Sequence, residues 1–184
     1  NNKATPEVKS LIESATFSGI KFRNIGPGFM SGRIADIAIH PDNESIIYVA
    51  VASGGVWKTI NSGTTWDPIF DNEESYSTGS VTIDPNNPNV IWVGTGENDG
   101  GRHIGFGDGI YRSDDGGKNW TNMGLRSSEH LSNIIVHPEN SDVIYVASQG
   151  PLWSKGGERG FYKSTDGGKN WKRTLGDDEW TGVT

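Results

Sequence analysis

Two glycine-rich stretches hold most of the side chains able to do chemistry: ENDGGRHIGFGD at 97 to 108 and QGPLWSKGGER at 149 to 159. Their carboxylates Glu97, Asp99, Asp108 and Glu158 are the candidates for acid or base work. Glu97, Asp99 and Asp108 also offer the hard oxygen ligands that calcium takes, although the spacing of an EF-hand is absent and no dedicated metal site is expected. Candidate ligand contacts in the same stretches are Arg102, His103, Phe106, Trp153, Lys155 and Arg159. Tyr76, His130 and Trp180 join them from connecting segments.

What positions these residues is a repeat. Ser/Thr-x-Asp/Asn-x-Gly-x-x-Trp occurs three times: Thr59, Asn61, Gly63 and Trp66; Ser113, Asp115, Gly117 and Trp120; Ser164, Asp166, Gly168 and Trp171. Each part has a role in a hairpin corner: the Asp or Asn accepts hydrogen bonds from turn amides, the Gly supplies a positive φ, and the Trp returns to bury its ring between layers. Structure, rather than catalysis, is the expected role of the corner.

A second repeat lies between the corners, IHPDNESIIYVA (39 to 50), IDPNNPNVIWVG (83 to 94) and VHPENSDVIYVA (136 to 147). Each reads as a strand ending in His/Asp-Pro, a polar turn, and a second strand of alternating apolar residues. A unit of about 50 residues with four short strands is the signature of a propeller blade. Blades are expected at about 30–71, 76–125 and 129–176, with the start of a fourth at 177–184. A tail over 1–16 carries a possible short helix capped by Thr5 and Pro6, and Phe17 to Arg23 adds a strand.

The spacing sorts the loops. From each corner to the next His/Asp-Pro the distance is 25 or 24 residues, whereas from His/Asp-Pro to its own corner it is 19, 29 and 27. The extra residues therefore fall between the second and third strands of blades two and three. In an up-and-down blade those loops share an end with the blade-to-blade connections, opposite the corners. Insertions collected on one face of a repeat fold point to a binding surface.

Composition agrees with an all-β chain. Of 184 residues only 33% are hydrophobic, yet seven Trp, five Tyr and six Phe are present with 26 Gly and eight Pro, so large aromatics and tight turns are expected. A net charge of −7 without Lys/Arg clusters argues against a nucleic-acid or anionic-membrane partner. No apolar run approaches the ~18 residues of a membrane span. The chain begins at Asn1 with no charged-then-apolar leader, which suggests a removed signal peptide or a start inside a longer protein. Cysteine is absent, so the redox compartment is not legible.

The corner Ser164-Thr-Asp166-Gly-Gly168-Lys-Asn-Trp171 and its two companions resemble the Asp-box, or bacterial neuraminidase repeat, found in sialidases, sortilin-type receptors, photosystem II assembly-factor propellers and xyloglucanase-like glycosidases. FRNIGPGFMSGRIADIAIHP (22 to 41) with IIYVAVASGGVWKTINSGTTW (46 to 66) looks especially like sortilin-type and xyloglucanase-like proteins secreted by bacteria. The resemblance covers about residues 20 to 175 and implies a partial Asp-box propeller with an extracellular or periplasmic location. It implies either a glycan- or protein-binding module or part of a glycoside hydrolase completed by further blades. A hydrolase would need two carboxyls about 5 to 9.5 Å apart.

Arg33 is loosely like the first arginine of a sialidase clamp, but Arg112 matches Lys58 and Lys163 as the repeat residue before the corner, so no arginine trio is carried over. Xyloglucanase-like enzymes place an Asp before the paired glycines of an early blade, where this chain has Ser53 before Gly54-Gly55. Open blades would expose apolar sheet faces, so the remainder of a propeller or another copy of the chain is an expected partner.

Overall fold

A computed structural model describes residues 32–98, 104–176 and 178–184. The expected helix over 1–16 and strand over 17–23, like Asp99, Arg102 and His103, lie outside them.

Every regular element described is a strand. β1 (Ile34–Ile39), β2 (Ile47–Val51), β3 (Gly55–Thr59) and β4 (Asp67–Pro68) form one sheet. β5 (Thr78–Ile83), β6 (Ile91–Thr95), β7 (Ile110–Ser113) and β8 (Thr121–Asn122) form a second. β9 (Leu131–His137), β10 (Asn140–Ser148), β11 (Gly160–Ser164) and β12 (Lys172–Leu175) form a third. All three are antiparallel meanders in chain order, the arrangement of propeller blades.

The β-branched and aromatic runs of the second repeat become the second strands, whose central positions suit pleated backbone. In register, Tyr48 pairs with Ala38 and Lys58, Trp92 with Thr82 and Arg112, and Tyr145 with Ile135 and Lys163. All of β6, IWVGT, is buried because the middle sheet is covered on both faces.

The core is therefore not inside a sheet but between sheets. Tyr48, Val56, Phe70, Val81, Ile91 and Tyr111 fill the seam between the first two. Trp92, Ile110, Leu131, Ile134, Ile144 and Tyr162 fill the next. The first strands adjoin along the seams: Asp36 Oδ2 accepts from Val81 N at 3.0 Å, and Thr82 Oγ1 donates to Ile134 O at 2.8 Å.

At one end of the sheets lie the turns between first and second strands. His40 Nδ1 accepts the amide of Asp42 and His137 Nδ1 that of Glu139, both at 3.2 Å, while Asp84 Oδ1 accepts that of Asn86 at 2.8 Å. Imidazole and carboxylate are interchangeable there because each offers an acceptor to the amide two residues on.

The three corners occupy the same end. Ser113 Oγ donates to Asp115 Oδ1 (2.8 Å) and accepts from Gly117 N (2.8 Å), and Asp115 Oδ1 in turn accepts from Lys118 N and Asn119 N at 2.9 Å. Ser164, Asp166, Gly168 and Asn170 repeat the pattern, and Thr59, Asn61, Gly63 and Thr65 give its amide version. Hydrogen bonds from Asn119 and Ser113 hold the Asp115 carboxyl far below the usual range, and those from Asn170 and Ser164 bring Asp166 to about 2. Each corner also bonds to the turn of its own sheet, through Ser62 N to Ser45 O, Gly116 N to Asn89 O and Gly167 N to Asp142 O. The corner tryptophans Trp120 and Trp171 are half-buried and sit on the seams rather than within a core, while Trp66 is exposed.

Candidate binding face

The opposite end gathers 71–77, 97–98 with 104–108, 125–130, 149–159 and 178–184. They are cemented to one another by backbone and short polar side chains. Ser77 Oγ lies 2.9 Å from Ala52 O and 3.0 Å from Gly105 O, and it accepts the amide of Glu97 at 3.0 Å. Ser75 Oγ donates to Phe106 O at 3.0 Å. Asn98 Nδ2 reaches Gly79 O (3.3 Å) and Ser132 O (3.2 Å), and Asn98 O accepts from Gln149 Nε2 (3.2 Å), so one amide side chain ties blade two to blade three. Gly96 (φ 83) makes this packing possible, since a Cβ there would fall 1.7 Å from Glu129 O.

The carboxylates take different roles here. Glu97 is buried and ion-paired with Arg33, which arrives from just before β1. The two flank a shallow pocket of about 250 Å³ completed by Ile34, Ala35, Ala52 and Asn98. Asp108 accepts the hydroxyl of Tyr111, and its Oδ2 lies 4.0 Å from Arg126 Nη1. Burial and that hydrogen bond push the Tyr111 phenol up to about 12. Nearby, burial first, then Asp108 and Glu74, push Glu73 up. Glu158 Oε2 accepts the amide of Ser127 at 2.8 Å, bracing one loop against the next. Among the described residues no three His, Asp or Glu side chains converge on a common point where a metal ion would sit.

Two of the expected contact residues lie inside the protein. Arg159 is buried, and its guanidinium donates to Gly156 O, Trp180 O, Pro151 O and Ser154 O at 2.6–2.9 Å, so it is the hub of the 149–159 loop. His130 is fully buried beneath the ring of Phe106, 5.7 Å between centroids, and neither ring nitrogen meets a protein partner. Burial lowers its pKa to about 4. It occupies the repeat position of Ser77, where a small hydroxyl ties loops together.

Other expected contacts do face outward. Trp153 is 72% exposed, and Phe106, Tyr76 and Trp180 are exposed as well. Tyr76 OH lies 3.7 Å from the Cβ position of Gly105, the residue before Phe106. Lys155 pairs with Glu179 at 3.2 Å in solvent. Asn98, Ser77 and Arg126 were not singled out from sequence; only the alignment of Ser77 with His130 in the repeat hints that this position serves a purpose.

The comparisons with known proteins agree with this architecture. A xyloglucanase of Hypocrea jecorina is 26% identical over 165 residues, covering 82% of this chain and 19% of that protein. A solved ancestral GH74 enzyme superposes with a TM-score of 0.61 at 25% identity, over 79% of this chain and 19% of that one. The chain is a distant homologue of the GH74 xyloglucanases. It spans about a fifth of the length of the curated relatives it matches. YCF48 bound to D1 peptide shares the fold, with a TM-score of 0.56 at 16% identity over 80% of this chain and 41% of that one. No family model matches the chain. No helix among the described residues is long and apolar enough to cross a membrane.

Proposed function

We propose that the end of the sheets carrying Trp153, Phe106, Tyr76 and Trp180 is a polysaccharide-binding face, and that its ligand is a xyloglucan-type glycan outside the cell or in the periplasm. The carrying observation is the exposure of these rings beside segments held in place, 149–159 by Arg159 and 104–108 by Ser77 and Ser75. A flat ring held on a braced loop covers the apolar face of a pyranose with little ordering cost, and burying that area favours binding. Homology to xyloglucanases supports the choice of glycan. Affinity electrophoresis in xyloglucan tests it: the chain should be retarded, and Trp153→Ala should remove most of the retardation. Equal migration of wild type, Trp153→Ala and Phe106→Ala through the polysaccharide gel would end this reading, and capture of a peptide instead would favour a protein ligand.

A second reading, part of a glycoside hydrolase, is favoured by the relatives' own activity and by Glu97, a buried carboxylate at a pocket mouth. Glu97 is held beside that pocket by its ion pair with Arg33. Release of reducing ends from xyloglucan by a longer form of the protein, lost on Glu97→Gln, is the corresponding test.

A further inference from the structure

Two of the corners hold a reactive dipeptide. Asp115-Gly116 and Asp166-Gly167 are Asp-Gly pairs, which cyclise readily because glycine, having no side chain, lets its own nitrogen approach the preceding carboxyl group. In that reaction the glycine nitrogen bonds to Cγ, and the nitrogen's proton leaves with the hydroxyl of the carboxyl group as water. The succinimide so formed reopens when water adds to the main-chain carbonyl carbon of the aspartate and breaks its bond to the glycine nitrogen. The chain then runs through the former side-chain carbonyl, as isoaspartate. The first step needs a neutral carboxyl group with a hydroxyl to lose, and a nitrogen free to turn toward it.

Each corner withholds both. Asp115 Oδ1 accepts from Ser113 Oγ at 2.8 Å and from the amides of Lys118 and Asn119 at 2.9 Å, while its Oδ2 accepts from Asn119 Nδ2 at 2.6 Å. Donors on both oxygens favour the ionised carboxylate, a poor electrophile with no hydroxyl to lose. The nitrogen of Gly116 meanwhile donates to Asn89 O at 2.8 Å, so its hydrogen is committed to another turn. Asp166 likewise accepts from Ser164 Oγ (2.8 Å), Asn170 N (2.9 Å) and Asn170 Nδ2 (2.6 Å), and Gly167 N donates to Asp142 O at 3.0 Å. Both aspartates are only half-buried, so the restraint is hydrogen bonding rather than exclusion of water.

We propose that Asp115 and Asp166 are latent isomerisation sites, closed in the folded chain by the hydrogen bonds of their own corners and opened when a corner comes apart. Each site then follows its own corner rather than the stability of the whole chain. Isoaspartate carries its free carboxylate directly on Cα and adds one atom to the backbone, so it no longer matches the amides that the aspartate side chain spans. A corner that isomerises while open therefore does not close again.

Ageing the folded chain and the urea-unfolded chain side by side tests this, with isoaspartate located by peptide mapping and counted with an isoaspartyl methyltransferase. Isomerisation at Asp115 and Asp166 should be at least tenfold slower in the folded chain. Asn119→Ala removes the side-chain donor to Asp115 and leaves the backbone amides in place. It should speed isomerisation at Asp115 at least threefold and leave Asp166 unchanged, and Asn170→Ala should do the reverse. Circular dichroism verifies that the variants fold, and the comparison of folded with unfolded wild type stands without them. Equal rates in the folded and unfolded wild-type chain, no acceleration in either folded variant, or acceleration of both sites together would each overturn the proposal.

Discussion

The indole N–H of Trp171 donates to the carbonyl of Met123 across 2.7 Å, joining the corner of one blade to the last strand of the blade before it. The repeated tryptophan thus acts between blades, and Trp120 does the same to Ile69. Trp171→Phe keeps most of the apolar contact and removes the donor. It should cost about 1 kcal/mol, the net worth of a neutral hydrogen bond, seen as a lower urea midpoint with unchanged slope.

The corner hydroxyls are buried while their carboxylates face water. Ser164→Ala removes the acceptor for the buried amide of Gly168, 2.9 Å away, and should cost about 1–3 kcal/mol, the penalty of an orphaned donor. Ser113→Ala should cost a similar amount at the middle corner. Urea titration of the two variants provides the check, and a loss below a few tenths of a kcal/mol at both would refute the role.

His130 makes stability depend on pH in a defined window. Its pKa of about 4 in the folded chain lies below the ordinary 6.5, so the unfolded chain binds the extra proton first. The stability it contributes is therefore present above pH 6.5 and is lost as pH falls toward 4, to a total of about 3 kcal/mol. In His130→Leu the melting temperature should fall less between pH 7 and pH 4.5 than in wild type. Parallel pH profiles for the two proteins would rule out this origin.

Arg159→Lys retains the charge and loses the fork that reaches Pro151 O and Ser154 O together. A lysine ammonium cannot span the four carbonyls in the plane that the guanidinium does. Hydrogen exchange at 151–158 should speed at least tenfold while the strands β5 to β8 keep their protection. Unchanged protection in the loop would show that its shape does not depend on Arg159.

Much of this architecture is written locally. The three Ser/Thr-x-Asp/Asn-x-Gly-x-x-Trp corners satisfy their own amides within eight residues, and His40, Asp84 and His137 close their turns two residues on, so their form follows from sequence alone. The placement of 104–108 and 149–159 opposite the corners follows too, because strand count and spacing leave one end for them.

Side-chain burial within those loops was not legible in this way. Arg159, Lys155 and Trp153 sit in one glycine-rich stretch and read alike, yet the first is buried and the last is exposed. Glu97 meets an arginine from before the first strand, and Asn98 meets carbonyls of two different blades. These partners are brought together only when the sheets stack.

The sequence by itself determined the number of sheets, the order of their strands, the form of each corner and the end at which the long loops gather, since all of these rest on contacts between residues near in the chain. The tertiary structure alone decided which loop residues face solvent, that His130 loses its hydration, and that Trp120 and Trp171 grip the neighbouring blade. Those outcomes depend on stacking blades about 50 residues apart, where burial and hydrogen-bond acceptors are supplied by chain that local pattern does not see.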